Sequence, residues 1–217
     1  MPYHHGNLRE ALLERAAEVI AESGMEALSL RSLARDLGVS HAAPSRHFAD
    51  RAALLNALAQ AGFERSVEAM KEGAVAAGAN PIDRYRALGR SYVGFAIEHP
   101  ALYRAMNHPE VRAQMSDELH DAHQVFFRTL REGVEEAQKA GWHPEADPEA
   151  LVTFSIAGAQ GTAELLLDDH SKTALGIEDA GRRERLADAV LDLIVSPTDE
   201  GVSPRTRSVS QTKARKN

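Results

Sequence analysis

Cysteine is absent from the 217 residues. That excludes disulfides and every thiolate metal site, and it fits a reducing, bacterial-type cytoplasm. Aromatic residues make up only 5 % and tryptophan occurs once, so the core has to be built mainly from aliphatic side chains. No apolar run reads as long enough to span a membrane, and the opening Met-Pro-Tyr-His-His-Gly-Asn lacks signal-peptide character. Both point to a soluble cytoplasmic chain with no membrane partner. Alternation of apolar and polar residues with period two is missing, which removes the main signal for strands. Enzyme signatures are missing too: no G-x-S-x-G, no phosphate loop, no Gly-rich nucleotide fingerprint and no H-E-x-x-H. The expectation is an all-α chain, not an enzyme and without a cofactor, long enough for two small domains.

Positive charge is scarce as well. The net charge is −7, yet it is unevenly spread. Residues 1–55 carry six Lys and Arg against seven Asp and Glu, and residues 201–217 carry five against none, which leaves 56–200 at −11. The acidic excess therefore sits away from the N-terminal segment, where four histidines add positive charge if a polyanion raises their pKa.

What is present is concentrated in residues 29–48, which read as two short helices joined by a tight turn. Ser29 is a plausible N-cap. Leu30, Leu33, Ala34 and Leu37 recur at i, i+3, i+4 and i+7, one apolar helical stripe. Gly38 follows where a left-handed residue ends a helix cheaply, and Ser40 offers a second cap. The spacing predicts a second helix over about 41–47, poor in large apolar residues and exposing His41, Ala42, Ser45, Arg46 and His47. Such a helix suits base edges and phosphates better than a core. Pro44 falls in its first turn, Phe48 returns to the core, and Asp50 caps a longer helix with Leu54, Leu55 and Leu58. Arg51, at the start of that helix, opposes the dipole; a nearby phosphate or plain solvent accounts for it equally. Upstream, Asn7 opens a helix with Leu8, Leu12, Ala16, Val19 and Ile20 on one face, closed by Gly24.

The geometry is that of a helix-turn-helix unit, which places its second helix in the major groove. On Ala16, Gly24, Leu28, Leu30, Leu33, Ala34, Leu37, Gly38, Val39, Ser40, His47, Phe48, Leu54 and Leu55 the chain resembles TetR-type (TetR/AcrR) transcriptional regulators. Their recognition helix usually ends Leu-Tyr-x-His-Phe. Here it reads Pro44-Ser45-Arg46-His47-Phe48, so the tyrosine that commonly touches a phosphate is Ser45. The expected DNA-contacting set is Ser29, Arg31, Ser40, His41, Ala42, Ser45, Arg46, His47 and Arg51. The expected partners are a double-stranded DNA operator and a small-molecule effector.

The rest of the chain divides into helical patterns punctuated at Gly78 to Pro81, His99-Pro100, His108-Pro109 and Gly141 to Pro144. Tyr92, Phe95, Tyr103, Met106, Phe126, Phe127 and Phe154 could wall an apolar pocket or fill a plain core. The resemblance implies that an effector pocket lies in this region. Residues 148–168 and 180–195 are apolar over a wide arc, and Leu151, Phe154, Gly158, Gly161, Leu165, Leu186, Val190 and Leu193 are the expected dimer interface. The resemblance implies the same four-helix seam between two subunits. His120 and His123 stand at i, i+3 beside Asp117 and Asp121, a pattern open to zinc or nickel but more usual on a solvated face; no metal site is expected. The domains expected are a DNA-binding head (1–55), a ligand-binding and dimerisation domain (56–195) and a basic, disordered tail (196–217). The function expected is a ligand-responsive homodimeric repressor. The alternative is a helical small-molecule-binding protein with a degenerate head.

Overall fold

The computed structural model describes residues 8–195. Among the described residues every regular element is helical. His4, His5 and the expected tail lie outside them.

Three elements make the head. α1 (Leu8–Ser23) buries Leu12, Ala16, Val19 and Ile20 at helical spacing. It ends at Gly24, whose φ of 81° is open to glycine without strain. After a 3-10 turn at Met25–Ala27, α2 (Leu30–Asp36) starts on Ser29, whose hydroxyl accepts the Ser32 N–H at 3.1 Å. α2 stops at Gly38, φ 66°. There the Val39 N–H reaches the Ala34 carbonyl at 3.0 Å, the six-to-one bond of a Schellman cap.

The expected second helix over 41–47 is a turn followed by a 3-10 turn at Pro44–Arg46. Pro44 is the reason. It has no N–H to give the Ser40 carbonyl, so that carbonyl accepts from Ala43 instead, at 2.9 Å, and the segment closes in tighter i→i+3 steps. Ser40 therefore acts through its carbonyl rather than as a side-chain cap.

α3 (Arg51–Ala76) is capped by Asp50, which accepts the Ala53 N–H at 2.8 Å. It runs unbroken through the expected domain boundary at residue 55. Its first turns bury Leu54, Leu55 and Leu58 in the head, and Phe63, Val67 and Met70 in the body. The body adds α4 (Pro81–Glu98), α5 (Pro100–Asn107), α6 (Pro109–Ala113), α7 (Asp117–Lys139), α8 (Pro148–Leu167), α9 (Asp169–Leu175) and α10 (Ala180–Val195). Pro81, Pro100, Pro109 and Pro148 each open a helix, where the missing N–H goes unused. α3 and α4 form the centre: α3 packs on α4, α5 and α7, and α4 packs on α7, α8 and α10.

α8, the apolar segment 148–168 of the sequence, has 20 residues and by length and composition alone is apolar enough to cross a membrane, where the sequence shows no run that reads as long enough. In the bundle it packs on α4, α7 and α10, so one side of its apolar surface belongs to the core.

Candidate nucleic-acid interface and ligand cavity

His41, Ala42, Ser45, Arg46 and His47 are all exposed, while Pro44 and Phe48 anchor the same segment in the core. Fixing a short run from two buried residues turns the intervening side chains outward as one surface. Ser29, Arg31 and Ser40 are also exposed, although the Ser29 hydroxyl is already engaged with Ser32. One basic group was missed by sequence reasoning: the Arg9 guanidinium, from the first turns of α1, lies 5.4 Å above the Phe48 ring. Arg9 and His47 line the same groove. Residues 9 and 48 share no local pattern that would have flagged the pair. Glu118 lines that groove too, and Asp36 pairs with Arg15 at 3.2 Å.

Arg51 takes a different part from the one expected of a phosphate contact or a solvated arginine. Its guanidinium donates to the carbonyls of Leu28 (3.2 Å) and Met25 (3.0 Å) and pairs with Glu110 on α6. Those three partners fix the head loop and the body to the start of α3. One turn later the buried Asn56 amide donates to the Gln114 carbonyl at 3.1 Å and accepts the Ser116 N–H at 2.8 Å.

In the body, Tyr92, Phe95, Tyr103, Met106 and Phe126 are all buried. Among them Tyr92 stacks against Tyr103 and Phe126, with ring centroids 6.1 and 5.4 Å apart, and Phe126 meets Phe127 at 5.4 Å, while Phe95 packs on His99 at 5.2 Å. Of the seven residues expected to wall a pocket, Tyr92 alone lines the small cavity between α4, α7, α8 and α10. Phe154 stands on the outside of α8, 59 % exposed, which removes it from any interior pocket. Trp142, buried against Tyr85 with centroids 5.1 Å apart, is a core residue that sequence reading treated only as punctuation.

Phe154, Gly161 and Leu165 on α8 and Leu193 on α10 are exposed. The open space beside Gly161, where a Cβ would meet nothing within 4 Å, belongs to that outer face. Leu186 and Val190 are half-buried and Leu151 is buried. Gly158 does a different job from the one expected: a Cβ there would collide with the Ile194 side chain, so it allows α8 and α10 of one chain to approach closely. His120 bonds Gln124 at 3.3 Å, and His123 packs on Phe63 and Phe127 with centroids at 5.2 and 4.8 Å. Burial, ahead of the charges of His120 and Arg112, holds the His123 pKa below the usual imidazole value.

Two family models match this chain. Residues 12–58 match that of bacterial regulatory proteins of the tetR family, and residues 85–194 match the tetracyclin repressor-like C-terminal domain. The chain belongs to the TetR family of transcriptional regulators. The class C tetracycline repressor of Escherichia coli is 47 % identical over 53 residues, 24 % of each chain, so this protein matches about a quarter of that repressor's length. A protein of unknown function from Rhodococcus sp. RHA1 is 35 % identical, with a TM-score of 0.74 over 90 % of this chain and 97 % of that one. The TetR family regulator PfmR of Thermus thermophilus shares the fold at 21 % identity, TM-score 0.68, over 87 % and 98 %. In this TetR-family chain the 12–58 match covers the whole segment 29–48, and the 85–194 match covers most of α4 and nearly all of α10.

Proposed function

We propose that this protein is a cytoplasmic, homodimeric repressor that grips a palindromic operator and releases it when a small, partly apolar effector binds the body. The observation that carries the reading is the outward surface of His41, Ala42, Ser45, Arg46 and His47, held by the buried Pro44 and Phe48. Short polar and basic groups on a rigidly anchored turn suit base edges and phosphates. The outer face of α8 and α10, with Phe154, Leu165 and Leu193 exposed, supports pairing of two copies through a four-helix seam. Two heads about 34–36 Å apart would then read successive major-groove faces. An effector releases DNA only if it binds better to the head spacing that misfits the operator.

Selection of genomic fragments by the purified protein at near-physiological salt tests this. Recovery of one short palindrome is the expected outcome. Diffuse, steeply salt-sensitive recovery would point to phosphate contacts without sequence reading. It would favour the second reading, a ligand-binding protein with a degenerate head. That reading draws on one observation, the single 3-10 turn at Pro44–Arg46 in place of a longer helix.

A further inference from the structure

A groove runs along α3 from the body to the head. Its body half lies between α3 and α4, where Ala69, Gly73, Ala76 and Gly94 keep it shallow and Glu68 and Glu72 edge it. Its head half lies between α1, α3 and α5, floored by Leu13, Ala17, Leu58, Ala61 and Leu102 and edged by Glu10, Glu14 and Glu18. Arg65, Glu98 and His99 line both halves, which makes them one channel. Six carboxylates thus stand along it against one arginine and one histidine. Glu18 is met by Arg15 at 2.7 Å. Glu14, Glu68, Glu72 and Glu98, all exposed, make no ion pair among the described residues. Like charges lined up in this way repel one another, and a cation laid between them relieves the repulsion.

The chain carries the complement. It runs on for 22 residues past Val195, the last residue of α10, and residues 201–217 hold five Lys and Arg and no Asp or Glu. α10 runs antiparallel to α4, as Arg86 meets Asp192 at 3.2 Å and Arg90 meets Asp188 at 2.9 Å. Val195 therefore lies beside the first turns of α4, at the body end of the groove. From Ala76 to Leu58 the groove follows α3 for about 27 Å, whereas a chain of 22 residues reaches up to about 70 Å. The neighbouring groove at that end matches less well. There Glu132 and Glu136 are balanced by Lys71 and Arg84, and Arg84 pairs with Glu136 at 3.4 Å.

We propose that this groove docks the basic segment 201–217 of the same chain and so holds it off DNA. Lys and Arg stems lie along the alanine and leucine floor while their charged heads meet the glutamates. Tethering supplies an effective concentration of about 1 mM, so a weak contact is enough. Left free, the same five cations bind phosphates without regard to sequence. The groove competes with bulk DNA for them and leaves discrimination to the head. This competition rests on the DNA-binding reading above, and the docking itself does not.

The test compares the full native chain with a groove variant carrying Glu14→Gln, Glu68→Gln, Glu72→Gln and Glu98→Gln. All four positions are exposed, so the variant should keep the native circular dichroism and melting curve. Trypsin should cut at Arg205 and Arg207 about tenfold more slowly in the native chain, because only the undocked fraction is cut. The difference should close at 1 M salt, where charges are screened beyond about 3 Å. Carbodiimide should join Lys213 or Lys216 to the groove glutamates. A duplex of scrambled sequence should bind the groove variant about tenfold more tightly than the native chain. With Arg205, Arg207, Lys213, Arg215 and Lys216 all changed to Gln, the four groove substitutions should alter that affinity by less than about twofold. Equal cleavage of the native chain and the groove variant overturns the proposal. So does an equal gain in DNA affinity with and without the five cations, which would be plain charge repulsion. Cross-links from the groove to lysines in the folded part of a second copy would give it another occupant and overturn the proposal too. Groove-dependent protection in a protein that recovers no operator supports the docking and sinks only the repressor reading.

Discussion

Asn56 and Ser116 are joined across the head–body junction: the buried Asn56 side-chain oxygen accepts the Ser116 N–H at 2.8 Å. The same amide donates to the Gln114 and Ala52 carbonyls at 3.1 and 3.0 Å. One side chain of α3 therefore satisfies two backbone groups of the α6–α7 loop. Asn56→Ala strands both, a loss of about 1–3 kcal/mol. Urea denaturation should show a lower midpoint. Asn56→Asp keeps the acceptor but points a carboxylate at two carbonyl oxygens, so its melting temperature should recover towards the native value as pH falls to about 4. A native-like midpoint in Asn56→Ala would remove the junction from the stability of the fold.

Arg46 is exposed in the 3-10 turn beside Ser45 and His47. Arg46→Ala should leave the melting curve unchanged and weaken operator binding. If it meets a phosphate, the salt slope should fall by about one and the loss should be similar on all sequences. If it meets a guanine edge, the loss should be confined to one position, at about 1–3 kcal/mol. Unchanged binding at fixed salt would take Arg46 out of the interface.

Phe48 is 3 % exposed and lies beneath the Arg9 guanidinium. Phe48→Ala should destabilise by about 3–5 kcal/mol, because the transfer loss adds to a cavity that neighbouring residues cannot close. The ends of α1, the 3-10 turn and α3 would lose their common anchor, so DNA binding should fail along with stability. A melting curve equal to that of the native protein would contradict the anchoring role.

The parts of this fold legible in the sequence are the local ones. Ser29, Gly38 and Asp50 act within four residues of themselves, and each ends or starts a helix where its chemistry says. The all-α class and the helix breaks at proline followed from the same logic. A proline in a first turn is ordinarily compatible with an α-helix, but at Pro44 the missing N–H shortens the segment to 3-10 geometry. α9 escaped because none of its residues is buried, leaving no apolar stripe to find. Arg51 and Asn56 escaped for another reason. Their partners Glu110, Gln114 and Ser116 lie about sixty residues away, and no periodicity encodes such a meeting. Phe154 could be assigned to a cavity or to an outer face from sequence, and only its position on α8 settles it outside.

Leu193 is 78 % exposed on α10, and Phe154 and Leu165 are exposed on α8, the helix that α10 packs against. In the proposed four-helix seam, Leu193 would be buried against the partner copy. If the proposed homodimer forms through this face, Leu193→Arg should shift sedimentation towards monomer, while the secondary structure of each chain persists. Operator affinity should drop with it, since one head holds half a site. Native-like self-association in Leu193→Arg would place the dimer elsewhere.

Tyr85, Tyr92 and Tyr103 predict how the fold answers alkali. Burial, as the first cause in each, raises all three pKa values, that of Tyr85 to about 12. In the unfolded chain these phenols ionise near 10. Protons are thus held more tightly by the folded form, and the associated stability is complete below pH 10 and is lost as pH climbs from 10 through 12. The native chain should melt at steadily lower temperature over that window, and the buried phenolate absorbance should rise only as it unfolds. Tyr85→Phe has no phenol at this site to ionise, so its melting temperature should fall less steeply over the same window. Equal slopes in the two proteins would mean that the Tyr85 hydroxyl reaches water in the folded state.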